Sequence, residues 1–379
     1  MASRSPARFT SRTSYTLGLG CLSTPDPLVE DALDLLRVLL HLPNHDAVLL
    51  LQRKLLLFYN RVSTNVSRER WPMDTRRIES LEVSVVGLGC NNFGRRLDFD
   101  ATSAVVDAAL DAGVTFFDTA DVYGGTRGEE YLGRALGRRR DEVVVATKFG
   151  SRLDEQRRGA RPEYVHRAVE DSLRRLGTDR IDLYQLHTPD PDVPIGETLG
   201  TLDELVRAGK VREVGCSNFS ADQLREAEEA TRGGAARFAS VQNEYSLLHR
   251  APEQDVLPEC KRAGLAFIPY FPLANGLLTG KYRWGQDAPE GSRLDSARGE
   301  RLLTDRNLAM VEQLIEFSGS RGHTILELAF SWLLRRQGVA SVIAGATSPE
   351  QARSNAAAAG WQLTDEELHE VDSIVTSPG

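Results

Sequence analysis

The sequence predicts an α/β fold, a (β/α)8 TIM barrel with a helical N-terminal extension. From about residue 83 onward, short apolar runs of strand length alternate with amphipathic segments of helix length. The runs are apolar on both faces, as in a parallel sheet covered by helices. Eight such runs argue for a closed barrel: 83–89, 114–118, 142–147, 181–186, 211–216, 238–242, 265–270 and 340–344.

The segments between these runs carry residues that typically begin and end helices. The clearest extends from Pro162 to Gly177, with proline near its start and glycine just past its end. Its apolar residues share one helical face: Val165, Val169, Leu173 and Leu176. The alternative, an open doubly wound sheet, normally binds a dinucleotide through GxGxxG in its first turn. The first strand here reads Gly87-Leu-Gly-Cys-Asn-Asn92, which lacks the third glycine and argues against that alternative.

Length and composition suit a barrel enzyme and disfavour other classes. Such barrels normally have about 250 residues and can exceed about 400 with insertions, so 379 residues fit. The net charge of −8 gives no reason to expect a nucleic-acid partner. The four cysteines form no CxxC pair, so we expect no disulfide framework, no metal site and a reducing, cytoplasmic compartment. No apolar run approaches the roughly 18 residues of a membrane span.

Residues 1–72 differ in composition from the predicted barrel, residues 73–379. The first 25 residues contain three arginines, many serines and threonines, and no acid. Leucine-rich stretches at 28–42 and 47–62 predict two short helices. Three interpretations are open: upstream sequence included by a misassigned start, an organelle-targeting peptide, or a partner-binding element. In each case we expect the segment to be dispensable for the chemistry, because eight strand–helix units already close a barrel.

Polar side chains end the predicted strands, and the C-terminal strand ends carry the active site in such barrels. Asp118 and then Tyr123 follow the second strand, Lys148 the third and His187 the fourth. Each alone has an ordinary explanation, such as a turn cap, a packed aromatic, a solvated strand end or a core histidine. Four ionisable groups at the same end of consecutive strands are hard to explain by packing, and they predict a catalytic site.

These residue types suit the reduction of a carbonyl group, which needs a hydride and a proton. A phenol has an ordinary pKa of about 10, so Tyr123 keeps its proton near neutral pH and can donate it. The ammonium of Lys148 would favour the phenolate and lower the pKa of Tyr123, while Asp118 holds Lys148 in place. A neutral N–H of His187 would orient the carbonyl oxygen. Nothing here supplies a hydride, so a cofactor must.

The sequence resembles the aldo-keto reductases from about Arg76 to Asp372. The stretch Phe117-Asp-Thr-Ala-Asp-Val-Tyr-Gly124 matches the family's signature around its catalytic Asp and Tyr. Ala146-Thr-Lys-Phe149 matches the segment of the catalytic Lys, and Asp182-Leu-Tyr-Gln-Leu-His187 that of the His. The resemblance implies an NAD(P)-dependent oxidoreductase that acts on a small-molecule carbonyl substrate, with Tyr123 as the general acid.

The resemblance also implies a cofactor site on the later strands. The nicotinamide carboxamide would contact Ser217, Asn218 and Gln242. The other implied cofactor contacts are Tyr270, which stacks on the nicotinamide ring, Leu273 and Lys281 at the pyrophosphate, and Gly345, Thr347, Gln351 and Asn355 at the adenosine. Asn91 and Phe93 should rim the substrate pocket, and residues 283–302 should form a mobile loop near the cofactor.

Two departures from the family pattern concern the cofactor and the helix after Tyr123. Many members place Arg or Lys in the adenosine segment, where it meets the 2′-phosphate of NADP. Here the matching positions read Gly345-Ala-Thr347, with Arg353 nearby. We expect NADP, with NAD as the alternative. Gly128 replaces the usual Ser before Glu129, which we interpret as a helix cap.

Other functions remain open alternatives. Some proteins that resemble this family are channel-associated subunits, so a regulatory or scaffold role is one, although four intact ionisable groups favour an enzyme. A Schiff-base aldolase using Lys148 is another, but it would not explain the predicted nicotinamide contacts. A sugar dehydrogenase working in the oxidative direction is a third.

Overall fold

The fold is seen in a computed structural model that describes residues 73–295 and 297–376. The extension predicted for residues 1–72, with helices at 28–42 and 47–62, lies outside the described residues. The described chain begins with an antiparallel hairpin of β1 (Thr75–Ile78) and β2 (Leu81–Ser84).

Eight parallel strands follow and form one sheet. They are β3 (Val86–Gly89), β4 (Phe116–Asp118), β5 (Val144–Phe149), β6 (Ile181–Leu186), β7 (Val211–Ser217), β8 (Ser240–Glu244), β9 (Ala266–Tyr270) and β10 (Val342–Gly345). Strands adjacent in the chain are adjacent in the sheet, and β10 returns to pair with β3. Backbone hydrogen bonds from Phe267 N to Gly338 O (2.8 Å) and from Ala340 N to Phe267 O (2.9 Å) complete the ring next to β9. The predicted barrel is confirmed.

Helices alternate with the strands and cover the outside of the barrel. They are α1 (Phe99–Asp111), α2 (Arg127–Leu136), α3 (Pro162–Leu176), α4 (Ile195–Arg207), α5 (Ala221–Ala230), α6 (Val256–Ala263), α7 (Ala297–Leu302), α8 (Asp305–Gly319), α9 (Ile325–Leu334), α10 (Pro349–Ala357) and α11 (Asp365–Thr376). Successive strand residues point to opposite faces of the sheet. Phe117 and Val145 therefore pack outward against helices, whereas Phe116 and Val144 belong to the core inside the barrel.

The hairpin closes the N-terminal end of the barrel. Ile78, Leu81 and Val83 are fully buried in the same cluster as the inward-facing Phe116 and Val144. The opposite end of the barrel, at the C-terminal ends of the strands, stays open, and inward-facing polar side chains there can meet a ligand.

The eight predicted strands all exist, with shifted boundaries. The run 83–89 combines the end of β2 with β3, because the apolar pattern continues from the hairpin into the barrel. Strand β5 continues to Phe149, so Lys148 lies within the strand. The predicted helix is α3, and Gly177 follows it with φ 64°, a left-handed conformation that suits glycine. Part of the predicted 283–302 loop forms the short helix α7.

Candidate active site

An ion pair between two inward-facing side chains occupies the centre of the site. Lys148 Nζ on β5 lies 2.5 Å from Asp118 Oδ1 on β4, and it also donates to Thr119 O over 2.9 Å. Both side chains are almost completely buried. Burial acts to lower the pKa of Lys148, but its surroundings, led by the charge of Asp118, outweigh this effect, and the pKa is raised. Lys148 is therefore an ammonium at neutral pH.

Tyr123 lies beside this pair, in the turn that follows β4. The Nζ atom of Lys148 is 5.4 Å from the centroid of the Tyr123 ring. Burial raises the pKa of Tyr123, and the charge of Lys148 offsets that shift only in part. The net change is opposite to the lowering expected from the sequence, because loss of solvation outweighs the neighbouring ammonium. The phenol keeps its proton, which is the state a proton donor requires.

His187 faces Tyr123 from the end of β6. The two rings meet edge to face, with centroids 6.0 Å apart and an interplanar angle of 81°. Burial, with the charge of Lys148, lowers the pKa of His187 to about 3, so the ring is neutral. Its buried Nδ1 has no hydrogen-bond partner among the described residues. A neutral imidazole in this position can donate one N–H to a carbonyl oxygen.

Gln185, which the sequence reasoning did not assign to the site, holds the second oxygen of Asp118. Its Nε2 donates to Asp118 Oδ2 over 3.1 Å, and Gln242 Nε2 donates to the same oxygen over 2.9 Å. Gln185 is fully buried. The signal was available, because Gln185 precedes His187 by two residues and strand side chains alternate between faces. Asp118 is thus fixed by one ammonium and two amides.

The four residues assigned to the nicotinamide by resemblance form one hydrogen-bonded group. Ser217 Oγ donates to Gln242 O over 2.8 Å, and Asn218 Nδ2 donates to His187 O over 2.9 Å. The hydroxyl of Tyr270 donates to Asn218 Oδ1 over 2.8 Å. Asn218 has φ 63°, a left-handed conformation that persists only where the surroundings enforce it. The ends of β7, β8 and β9 therefore present a fixed polar edge beside His187.

The turn after β9 has an unusual backbone. Phe271, Ala274 and Asn275 have φ of 51°, 45° and 60°, and such residues cost roughly 1–3 kcal/mol each. Strain of this kind clusters at ligand clamps. Leu273, one of the predicted pyrophosphate contacts, lies within this turn, and the other, Lys281, follows it with Nζ 5.1 Å from the ring centroid of Tyr282.

The predicted adenosine segment lies between β10 and α10. Gln351 Oε1 accepts hydrogen bonds from Thr347 N (2.8 Å) and Thr347 Oγ1 (3.0 Å), which fixes the turn before the helix. Asn355 Nδ2 approaches Gly345 O at 3.5 Å. The backbone N–H groups at a helix N-terminus are suited to anions. Arg353, further along α10, is half-exposed and lies 3.9 Å from Glu350.

Two expectations near Tyr123 are corrected. Phe93 is fully buried in the outer core, so its side chain does not rim a pocket, whereas Asn91 remains half-buried after β3. Gly128 is not the helix cap, because it lies within α2, whose N-cap position is Thr126. A Cβ at Gly128 would lie 3.0 Å from Tyr123 Cβ and 3.1 Å from Tyr123 O. The missing side chain therefore lets α2 begin directly against the turn that carries Tyr123.

A cavity of about 720 Å³ lies at the opposite end of the barrel, beside the hairpin. There Arg76 donates to Leu334 O over 2.7 Å and to Val339 O. Cations at the ends of helices normally satisfy such carbonyls, and none of the predicted catalytic residues lines this cavity. Within residues 73–295 and 297–376, no cluster of three or more His, Cys, Asp or Glu could hold a metal ion. In the same part of the chain, no helix is both long and apolar enough to cross a membrane.

Comparison with known proteins identifies the family. The sequence model of the aldo/keto reductase family matches residues 85–376. The chain belongs to the aldo-keto reductase family. Aldo-keto reductase YhdN of Bacillus subtilis (strain 168) is 35% identical over an alignment of 306 residues that covers 78% of this chain and 91% of that protein. The structure of glycerol dehydrogenase AKR11B4 from Gluconobacter oxydans is 33% identical with a TM-score of 0.69, over 80% of this chain and 95% of that chain. As an aldo-keto reductase, the protein is an oxidoreductase.

Proposed function

We propose that this aldo-keto reductase reduces an aldehyde or ketone to an alcohol with NAD(P)H, and that Tyr123 is the general acid. The observation that carries the proposal is the state of three neighbouring groups. Tyr123 keeps its proton because burial raises its pKa, His187 is neutral, and Lys148 is an ammonium held by Asp118. A donor, an orienting N–H and a fixed positive charge therefore meet at one end of the barrel.

The residues beside this group fit a nicotinamide dinucleotide. Ser217, Asn218 and Gln242 form a hydrogen-bonded polar edge with amide and hydroxyl groups that could meet a carboxamide, and the half-buried ring of Tyr270 stands next to it. The strained turn after β9 is the proposed place for the pyrophosphate, and the N-terminus of α10, where the helix dipole favours an anion, is the proposed place for the adenosine end. When bound, NAD(P)H supplies the hydride that no side chain can provide.

The protein's own residues would donate the proton and stabilise the base that remains. The carbonyl oxygen would lie between the Tyr123 hydroxyl and an N–H of His187, so that the carbonyl group is polarised before its carbon accepts the hydride. As negative charge develops on this oxygen, the Tyr123 proton moves to it, which is worth about 10²–10⁴-fold in rate. The ammonium of Lys148 stabilises the phenolate left behind, and Asp118 keeps Lys148 in place.

We propose NADP as the preferred cofactor, with NAD possible. Arg353 on α10 is the cation near the predicted adenosine segment, and its side chain is half-exposed. Oxidation of an alcohol is the second candidate direction, since the similar structure from Gluconobacter oxydans is a glycerol dehydrogenase. The same residues would serve both directions, with Tyr123 accepting the proton in oxidation.

Steady-state assays of the full-length chain test this function. NADPH and NADH oxidation would be followed with a panel of aldehydes, ketones, quinones and sugars, and NADP reduction with polyols. We expect carbonyl-dependent NADPH oxidation. Cofactor binding without turnover of any substrate in either direction would instead support the regulatory or scaffold alternative.

A further inference from the structure

A second buried polar cluster lies behind the catalytic turn, on the outer side of the barrel wall. Asp121 stands between Asp118 and Tyr123 in the chain and is fully buried. Its backbone N–H donates to Lys148 O over 3.0 Å, so the turn that carries Tyr123 is attached to β5 at this residue. The mechanism proposed above uses none of the Asp121 side chain.

The carboxyl group of Asp121 is poorly solvated by the protein. Oδ2 accepts one long side-chain hydrogen bond, from Tyr164 OH on α3 at 3.3 Å, and the backbone N–H of Val122 is also directed at the carboxyl group. Oδ1 is buried and has no hydrogen-bond partner among the described residues. A buried carboxylate is ordinarily satisfied by several donors or by a cation, because an unpaired buried charge is costly. This arrangement suits a neutral carboxyl better than a carboxylate.

The cation of this cluster is already engaged by a second acid. Glu129 on α2 is fully buried, and Arg175 on α3 lies 2.7 Å from Glu129 Oε2 through both Nε and Nη2. Glu129 Oε1 accepts from Thr147 Oγ1 on β5 over 2.5 Å. Arg175 therefore pairs with Glu129, and among the described residues no ion pair joins it to Asp121.

The groups that face Asp121 from the surrounding elements also favour its neutral form. They are Glu129 on α2, Tyr164 and Arg175 on α3, and Tyr184 on β6. The hydroxyl of Tyr184 is buried without a hydrogen-bond partner among the described residues. Burial, and then the charge of Glu129, raise the pKa of Asp121 to about 7, while Arg175 opposes the shift in part.

We propose that Asp121 is a positioning residue: its neutral carboxyl holds the turn that carries Tyr123, and its ionisation loosens this turn. A carboxylate at Asp121 would repel Glu129 across the back of the turn and draw water or cations toward the buried site. Since the Asp121 backbone is bonded to Lys148 O, a displacement there moves Tyr123 relative to Lys148. A shift of about 1 Å in a catalytic group can cost about 10²-fold in rate. The kinetic part of this inference rests on the proposed function, whereas the protonation of Asp121 does not.

The protonation is tested first, without cofactor or substrate, by urea unfolding of the full-length chain from pH 5 to pH 9. In the unfolded chain Asp121 ionises near its ordinary pKa of about 3.9, but in the folded protein it ionises only near 7. The folded state thus binds the extra proton between these values, and stability is lost as pH rises toward about 7. Compared with Asp121→Asn, in which this side chain cannot ionise, the wild type should lose unfolding free energy as pH rises to about 7. Above that pH the difference between the two proteins should stay constant. A constant difference between the two proteins across this range would overturn the proposal.

Turnover is the second measurement, with Asp179→Asn as the matched control, since that aspartate side chain is 91% exposed. Wild type and Asp179→Asn should lose kcat above about pH 7, whereas Asp121→Asn should lack this inflection and keep most of its kcat at pH 6. Asp121→Ala should lower kcat about tenfold or more at every pH, with little change in substrate KM. An inflection that persists in Asp121→Asn, or a normal kcat in Asp121→Ala, would refute the positioning role. If the wild type itself does not turn over, the proposed function fails and the unfolding data still decide the protonation.

Discussion

Gln185 donates a hydrogen bond to Asp118 Oδ2 over 3.1 Å, on the oxygen that Lys148 does not bind. The carboxylate is therefore held on both sides, and its orientation depends on a residue outside the four predicted catalytic residues. Gln242 shares this oxygen and also belongs to the predicted nicotinamide contact. The cofactor side and the proton-donor side of the site are thus joined through Asp118.

Replacing Gln185 by Leu should lower kcat more than it weakens cofactor binding. The substitution removes a hydrogen bond to a charged group, worth about 1.5–3 kcal/mol, which corresponds to roughly tenfold or more in rate if it is lost in the transition state. Steady-state kinetics and cofactor titration by fluorescence quenching measure the two effects. Gln337→Leu, at an exposed position, is the control. A Gln185→Leu variant with unchanged kcat would show that Gln242 and Lys148 position Asp118 without help.

Lys148→Met should abolish most activity and raise the pKa of Tyr123 further. Burial already raises this pKa, and the variant removes the charge that offsets it. It also leaves Asp118 as an unpaired buried carboxylate, which typically costs about 3–5 kcal/mol of stability. Adding Asp118→Asn should restore much of the stability without restoring turnover. A Lys148→Met variant with an intact pH–rate profile and kcat would contradict the proposed pairing.

His187 should not titrate between pH 5 and pH 8, since its pKa is lowered to about 3 by burial and by Lys148. The unfolded chain takes up the proton near about pH 6.5, so the folded protein should lose stability as pH falls below that value. His187→Asn should remove this part of the loss. His166→Asn, at a side chain that is 45% exposed, should not. Histidine NMR titrations provide a direct check, and an imidazole at His187 that protonates above pH 5 would contradict the account.

Gly133→Ala should destabilise the fold by about 1–3 kcal/mol, as overpacking does. Gly133 is in α2, and a Cβ there would overlap the carbonyl of Leu176 at the end of α3. The matched control is Gly200→Ala in α4, where a Cβ would meet nothing within 4 Å. That change should be neutral or stabilising by about 0.4–1 kcal/mol. Equal unfolding free energies for Gly133→Ala and Gly200→Ala would contradict this prediction. They would mean that α2 can move away from the Leu176 carbonyl of α3 at little cost.

Much of the fold could be predicted from the sequence, because the alternation of apolar strand runs with amphipathic helical segments continues along most of the barrel. Strand β5 is buried on both faces, and α3 has proline at its start and glycine after its end, so each element has a local signal. The boundary between β2 and β3 had no such signal, since the apolar run continues through it.

The site was less completely readable. The four ionisable residues at the strand ends were expected to lie together, and the barrel topology does bring them together, while their catalytic role stays a prediction. Strand alternation with His187 indicates that Gln185 faces the barrel interior, but its contact with Asp118, which lies on another strand, follows from no local pattern. The net direction of the Tyr123 pKa shift was missed as well, since it depends on burial as well as on the nearest charge. The burial of Phe93 likewise depends on the packing around it.

The comparison of wild type with Tyr123→Phe tests the central claim most directly. The variant keeps the ring and its contact with His187 but has no proton to give. We predict a loss of about 10²–10⁴-fold in kcat for carbonyl reduction, with cofactor affinity nearly unchanged by fluorescence titration. Tyr131→Phe, at a tyrosine that packs against Phe99 outside the site, should behave like the wild type. A Tyr123→Phe enzyme with near-normal kcat would show that the proton comes from another group.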